Sequence, residues 1–319
     1  MAIIRNGEIL TNIIYNQEIH RKYGGVIPEW ASRKHLEAMV SLYKETLEKA
    51  NIEQVELHGI VVTRGPGLMG SLLVGMGFAK ALALALDIPL IEVNHLEAHL
   101  CSVLIDLPKP TFPFLCLTVS GGHTQLIRVN GIGDYHILGG TLDDAAGEAF
   151  DKTGKMLGLD YPAGPIIDQL AQKGIARFKF PISVLDGYQY SFSGFKTAVL
   201  YFLQKEIKNN PDFISENLED LCASIQHTIV EILIKKVTLA MKNEGLTELG
   251  IAGGVSANSG LRKRIAQICK DNEWKSYFPA MQYCTDNAAM IAFVGYQKYL
   301  ASQFADENIM PLPRMPVSS

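Results

Sequence analysis

The sequence predicts an α/β protein of two lobes with mixed sheets, and three local patterns carry that prediction. First, HGIVVT at 58–63 and IPLIEV at 88–93 read as buried strands with an apolar helix at 72–86 between them. This is a βαβ unit, which implies parallel pairing. Second, FLCLTVS at 114–120, a Gly121-Gly122 turn and TQLIRVN at 124–130 read as an antiparallel hairpin. Third, ELGIAGG at 248–254 is a strand running into a glycine turn, behind a largely helical segment at 216–243. Mixed sheets with glycine turns at strand ends place the ligand in a central cleft.

With 319 residues, 48% hydrophobic and 19% charged, the chain buries a full core of one or two domains. Its five cysteines (Cys101, Cys116, Cys222, Cys269, Cys284) are odd in number, scattered and never in a CxxC pair. That pattern fits a reducing, cytoplasmic location and argues against a disulfide framework or a cysteine-built zinc site. MAIIRNGEIL has neither the basic start nor the apolar run of a signal peptide. The apolar stretch 72–86 is interrupted by Gly75, Gly77 and Lys80 and ends at Asp87, so a buried helix is expected there and no membrane segment. A net charge of -4 requires any nucleic-acid contact to use a local patch or a partner's surface.

Gly65-Pro-Gly67-Leu-Met-Gly70 satisfies G-x-G-x-x-G between a strand and a helix. It is not the first such unit in the chain and no second mononucleotide half follows, so close helix–strand packing explains it better than a dinucleotide. No G-x-x-x-x-G-K-[ST] occurs.

NHLEAHL at 94–100 places His95 and His99 four residues apart. Four residues advance a helix by about 400°, so both lie within about 40° of one face and suit a shared metal ion. The zinc-protease pattern puts its general base directly after the first histidine. Here the glutamate is Glu97, about 200° away from His95, which excludes a protease of that kind and leaves Glu97 a bystander. On spacing alone, two satisfied core histidines are the simpler reading, and a metal needs a third ligand from elsewhere.

Three glycine-containing turns follow: VSGGHTQ at 119–125, YPAGP at 161–165 and AGGVSAN at 252–258. Glycine lets backbone N–H groups approach an anion, and three such turns favour a phosphate or nucleotide. LDDAAGEAFDKTGKML carries Asp144, Glu148 and Asp151 at i, i+4 and i+7, one acidic face that is either solvated or holds a ribose hydroxyl or a metal. YCTDNAAMIAFVGY starts a helix with Thr285 or Asp286 as its N-cap. Asp286 is alternatively a hard-oxygen ligand beside His95 and His99, a set suited to Fe(II) or Zn(II).

YGGVIPEWASRKH, TRGPGLMGSLLVG, NHLEAHL, VSGGHTQL, DDAAGEAFDKTGKMLGLDYPAGP, YSFSGFKTAV, GGVSANSGLR and CTDNAAMIA occur in this order. Together these blocks resemble the bacterial TsaD family of tRNA threonylcarbamoyladenosine transferases, formerly called O-sialoglycoprotein endopeptidases. The resemblance implies an actin-like ATPase (ASKHA) fold, with lobe 1 at about 1–110 plus 275–319 and lobe 2 at about 111–274. It implies metal ligands His95, His99 and Asp286 and one divalent ion per chain, Fe(II) first and Zn(II) second. It also implies a substrate-binding turn of Val119, Ser120, Gly121, Gly122 and His123, and substrate contacts at Asp151, Gly164, Asp168 and Asn258. His123 is the candidate catalytic proton acceptor; Ser193, Gly194 and Lys196 lie in a family block with no assigned role, and a solvated lysine is the simple expectation there.

The implied reaction moves a threonylcarbamoyl group from threonylcarbamoyl-AMP to the exocyclic amine of the adenosine beside the anticodon in tRNA. Partners implied are tRNA and TsaB-like and TsaE-like proteins. The family opens with a further apolar strand and an ETSCDET-like block, so the first strand of lobe 1 is missing from this chain and AIIRNGEIL reads as the second strand of that opening hairpin. A scaffold without catalysis and an actin-fold kinase or ATPase are the competing expectations. Ala98 and Ala163 stand where the family has glycines, which is tolerated unless φ is positive there.

Overall fold

Asn6 and Gly7, at φ 54° and 86°, turn the N-terminal residues back on themselves, so that β1 (Ala2–Arg5) pairs antiparallel with β2 (Glu8–Asn12). Left-handed backbone at both positions is what a tight hairpin turn needs, and Asn-Gly supplies it. AIIRNGEIL is therefore not one strand of a longer hairpin but a hairpin in itself. The computed structural model describes residues 1–15, 27–183 and 185–317. Residues 23–26 of the YGGVIPEWASRKH block lie outside them. The chain divides into one unit of Met1–Ile105 with Thr285–Ser319 and a second of Asp106–Cys284.

In the first unit, α1 (Pro28–Ala50) packs against α2 (Met69–Leu86), which links the parallel pair β3 (Ile60–Gly65) and β4 (Leu90–Asn94). The expected βαβ unit is present. The expectation that its helix is buried fails: Leu72, Met76, Ala79 and Ala83 form one buried stripe, while Leu73 and Leu84 are exposed. Overall apolarity does not say how much of a helix is covered, and α2 packs against α1 and the strand pair while leaving the stripe of Leu73 and Leu84 exposed. Among the described helices it alone is long and apolar enough to cross a membrane.

Helix α3 (His95–Cys101) leaves the end of β4, and α10 (Ala288–Leu300) packs on both α3 and β4. The tail beyond α10 returns along the strand pair. Ala305 N–H donates to Leu90 O (2.8 Å), Leu312 N–H to Arg64 O (2.8 Å) and Gly67 N–H to Pro313 O (3.2 Å). A Cβ on Gly65 would strike the Leu312 carbonyl, and one on Gly70 the Ser32 hydroxyl of α1. The G-x-G-x-x-G glycines thus serve close packing.

The second unit is built on a five-stranded sheet ordered β7 (Asp134–Gly140), β6 (Thr124–Gly131), β5 (Phe114–Val119), β8 (Glu248–Ala252), β9 (Lys275–Tyr277). β5 pairs antiparallel with β6 and parallel with β8, so the sheet is mixed. All residues of β5 and β8 are buried, the mark of central strands covered on both faces. Helices α4 (Ala146–Met156), α5 (Ala163–Ala171), α6 (Ser193–Asn209), α7 (Phe213–Asn243) and α8 (Ser259–Asp271) surround one core, in which Leu117, Phe150, Ile229 and Ile251 are fully buried or nearly so. A single turn, α9 (Met281–Cys284), ends this unit.

Candidate metal centre and glycine-turn site

Asn94 is the N-cap of α3: its Oδ1 accepts from Leu96 N–H (2.8 Å) and Glu97 N–H (3.3 Å), satisfying two of the free donors of the helix start. Its Nδ2 donates to the carbonyls of Met315 (3.2 Å) and Pro316 (2.9 Å), so the tail holds the cap in place. Asn94→Ala is expected to lower stability by about 1 kcal/mol or more, read from urea denaturation, because a cap is lost and two tail carbonyls lose their donor.

One turn apart on α3, the rings of His95 and His99 lie 4.7 Å apart between centroids at 85°. Asp286 Oδ1 sits 3.3 Å from His95 Nε2 and 3.1 Å from His99 Nε2. One ligand atom from each of the three residues lies within 4.8 Å of the others. With metal–ligand bonds of about 2.1 Å, neighbouring ligand atoms stand ~3.0 Å apart in an octahedron and ~3.4 Å in a tetrahedron. The two separations from Asp286 Oδ1 fit either. His99 Nδ1 is buried with no hydrogen-bond partner among the described residues. Two imidazoles and a carboxylate suit a borderline divalent cation.

Helix α10 is capped not by Thr285 or Asp286 but by Asn287, whose Oδ1 accepts from Met290 N–H at 3.0 Å. Asp286 is thereby released from capping. Crowding by the surrounding chain works against its charged form, but hydrogen bonds and charge from His95 and His99 outweigh it and hold the carboxyl well below the usual carboxylate range. Glu97 is no bystander either. It is 6% exposed and its Oε2 lies 3.3 Å from Lys298 Nζ on α10.

In the second unit, β5 and β6 meet in the turn Ser120–His123, where Ser120 N–H donates to His123 O (2.8 Å) and His123 N–H to Ser120 Oγ (3.1 Å). Val119 is fully buried, so it can offer a ligand only backbone, whereas Gly121 and Gly122 are exposed. A Cβ on either glycine would meet nothing within 4 Å. Two further glycines press on this turn: Gly147, which the sequence offers only inside a helical block, and Gly253 of the AGGVSAN turn. Gly147 N–H donates to Ser120 O (3.1 Å), and a Cβ there would stand 2.5 Å from that oxygen. A Cβ on Gly253, at φ 88°, would stand 2.5 Å from Val119 O.

From this turn a ring of contacts runs through the unit. Asp151, on the helix of Gly147, accepts from Ala163 N–H (2.8 Å) and from Gly164 N–H at the start of α5. Gly164 is accordingly a first-turn helix residue, and YPAGP is a helix start instead of a glycine turn. Burial raises the Asp151 carboxyl above its ordinary range, against those two backbone hydrogen bonds. Asp168, on α5, accepts from Ser259 N–H (3.0 and 3.1 Å) and Ser259 Oγ–H (2.7 Å) at the start of α8. Asn258 caps α8 through Leu261 N–H (2.9 Å) and donates to Gln226 (2.7 Å). Gly253 then closes the ring at Val119. The carboxylates expected to grip sugar hydroxyls thus also hold helix N-termini, where negative charge is favourable.

Asp144 precedes α4 and does not extend its acidic face; its oxygens pair with Lys152 (2.6 Å) and Lys196 (2.7 Å), and Lys152 also reaches Glu148 (2.9 Å). Lys196 is therefore paired, not solvated. Asp143 accepts from Ser191 Oγ, Phe192 N and Ser193 Oγ (2.5–2.8 Å), docking the SFSGFK segment at the start of α6. Neither aspartate was singled out as the anchor of that block; the Asp-Asp pair just before one helix start and the serines of SFSGFK at another were the available signal. Neither Ala98 nor Ala163 has a positive φ, so both are accommodated.

The family model described as TsaD, tRNA N6-adenosine threonylcarbamoyltransferase, matches residues 8–293. A protein of that name from Christiangramia forsetii is 53% identical over 97% of this chain and 92% of its own length. One from Cytophaga hutchinsonii is 50% identical over 98% of this chain and 92% of its own. Among solved structures, HypF from T. kodakarensis superposes with a TM-score of 0.58 at 14% identity, covering 85% of this chain and 44% of that one. A full-length HypF in phosphate- and nucleotide-bound form gives 0.55 at 13% identity, over 83% and 42%. These two likenesses concern the fold alone, which is the actin-like ATPase class. The kinase and scaffold alternatives are not favoured by relatives whose names state a single activity. Match and identity extend over nearly the whole sequence, and the chain belongs to the TsaD family of tRNA N6-adenosine threonylcarbamoyltransferases.

Proposed function

We propose that this protein transfers the threonylcarbamoyl group of threonylcarbamoyl-AMP to the exocyclic amine of the adenosine adjacent to the anticodon, in tRNAs that read codons beginning with adenine. The observation that carries this is 53% identity, across 97% of the chain, to a relative named for that transfer. The amine nitrogen attacks the carbamoyl carbon, the bond from that carbon to the phosphate oxygen breaks, and AMP leaves. Because the acyl group arrives activated, the protein's task is to hold two reactants and to stabilise charge on the departing phosphate.

Gly121 and Gly122 are exposed, and their backbone N–H groups are suited to phosphate oxygens, with no Cβ to keep these away. Val119 and Ser120 belong to this reading as backbone contributors. Asp151, Gly164, Asp168 and Asn258 retain it as candidate substrate contacts, each carboxylate having lone pairs beyond those facing backbone donors. His123, at the base of the turn, is proposed as acceptor of the amine proton.

His95, His99 and Asp286 are proposed to hold one divalent ion, Fe(II) before Zn(II). Two neutral imidazoles and one carboxylate leave a dication one net positive charge, which when bound supplies electrostatic stabilisation to phosphate or carbamate oxygens. The reading further includes TsaB-like and TsaE-like partner proteins and a cytoplasmic location, where tRNA is modified.

Purified protein incubated with such partners, threonylcarbamoyl-AMP, ATP and unmodified tRNA should yield threonylcarbamoyladenosine, detected by mass spectrometry of digested nucleosides. Absence of product, alongside turnover by a relative's enzyme in the same mixture, overturns the proposal.

A further inference from the structure

The pair Glu97–Lys298 is where NHLEAHL and the helix behind Asp286 meet on a second face. Glu97 is 6% exposed, and Lys298 Nζ lies 3.3 Å from its Oε2 and donates to Glu92 O at 3.2 Å. One ammonium thus ties together β4, α3 and α10. These are the strand that delivers the histidine helix, the helix that carries His95 and His99, and the helix that Asp286 precedes by two residues.

Helix α3 has only seven residues, too few to hold its own orientation. Its histidines reach Asp286 just before α10 begins, whereas Glu97, about 200° around α3 from His95, reaches Lys298 ten residues into α10. Two attachments on different faces of a short helix, at opposite ends of a long one, set its roll and tilt. A histidine pair on a helix free to roll would present its nitrogens over a range of directions, whereas metal bonds need a narrow one. We propose that Glu97 and Lys298 are positioning residues that hold α3 in the roll at which His95 and His99 share one metal ion with Asp286. This rests on the reading of those three residues as ligands.

Positioning and simple charge make opposite predictions for Lys298. Removing the ammonium leaves Glu97 unneutralised, and added negative charge near a cation site would tighten metal binding if field strength were its only contribution. Loss of alignment weakens binding instead. The measurement is Zn(II) affinity of the purified full chain, by competition with a chromophoric chelator, for wild type, Glu97→Gln, Lys298→Met, Lys298→Arg and His99→Ala. Expected are a loss of about 10-fold or more in both Glu97→Gln and Lys298→Met, in the range typical of outer-shell partners. Lys298→Arg, which keeps the ion pair, should stay near wild type. Unchanged or tighter binding in Lys298→Met overturns the proposal, as does unchanged binding in Glu97→Gln. Were Lys298→Met to unfold, as circular dichroism would reveal, Glu97→Asp decides instead: it keeps the charge but shortens the reach to Lys298, so positioning predicts weaker Zn(II) binding, and binding equal to wild type overturns the proposal. If wild type binds no Zn(II), or His99→Ala binds it as well as wild type, the ligand reading itself has failed, and that outcome is distinct.

Discussion

Asp286→Asn is expected to abolish retention of the divalent ion through dialysis and to reduce threonylcarbamoyl transfer by at least about 100-fold. Losing an outer partner of a metal ligand costs 10–100-fold in affinity or activity, and losing one of three ligands costs more. The substitution keeps the shape of the side chain while removing its charge. That side chain is 81% exposed, so its replacement disturbs little packing, and Asn287 goes on capping α10. His99→Ala should give the same metal loss, but it also empties a buried position, since His99 is only 5% exposed. Metal content by elemental analysis and nucleoside yield should therefore fall together in both variants, with the larger drop in melting temperature in His99→Ala. An Asp286→Asn protein that keeps its full complement of metal would show that the three residues are not the ligand set.

The contrast between those two variants follows the line between what local pattern encodes and what it does not. His95 and His99 were legible because a helix of known pitch relates positions four apart. The same wheel placed Glu97 on another face but said nothing of what waits there. Lys298 stands 201 positions along the chain, and no local pattern reports such a pairing. At the C-terminal helix, Thr285, Asp286 and Asn287 are all favourable caps, and propensity cannot choose among three neighbours. The choice bears on the proposed metal site, because a carboxylate engaged by helix N–H groups is less available to a cation.

Apolar periodicity failed in two different ways. In AIIRNGEIL the apolar residues flank Asn6-Gly7 so closely that one strand and two short strands look alike, although the dipeptide itself is a strong hairpin signal. In 72–86 the residues are apolar on all sides, which announces a helix but not how much of it is covered. The β5–β6 hairpin and the βαβ unit were legible because glycine punctuation and strand-length apolar runs agreed with one another. Asp151 and Asp168 show the complementary limit. A carboxylate three or four residues from a glycine suits a ribose and a helix N-terminus equally well, and only the fold brings Ala163 and Ser259 to them.

Gly253→Ala is expected to lower stability by about 2–6 kcal/mol and transfer activity by about 100-fold. At φ 88° and ψ 167° the residue occupies a region essentially closed to side chains, where strain alone costs ~1–3 kcal/mol. The added methyl would also stand 2.5 Å from Val119 O and 2.9 Å from Val119 C, and overpacking against backbone costs a similar ~1–3 kcal/mol because no flexible side chain can yield. What yields is the turn itself. A displacement of about 1 Å in the turn, if it holds substrate as proposed, is enough for a 100-fold loss of rate. Gly147→Ala attacks the same turn from the other side, at 2.5 Å from Ser120 O and 2.8 Å from Gly121 N. It should behave alike, without the φ strain and hence with the smaller stability loss. Gly121→Ala separates packing from binding. Its methyl would meet nothing within 4 Å and its φ is not positive, so urea denaturation should change by well under 1 kcal/mol. If the Gly121 amide receives the substrate phosphate, that methyl intrudes only once substrate is present, and the Michaelis constant for threonylcarbamoyl-AMP rises in a fully stable protein. A Gly121→Ala enzyme with unaltered kinetics would leave the turn a purely structural junction and move the phosphate elsewhere.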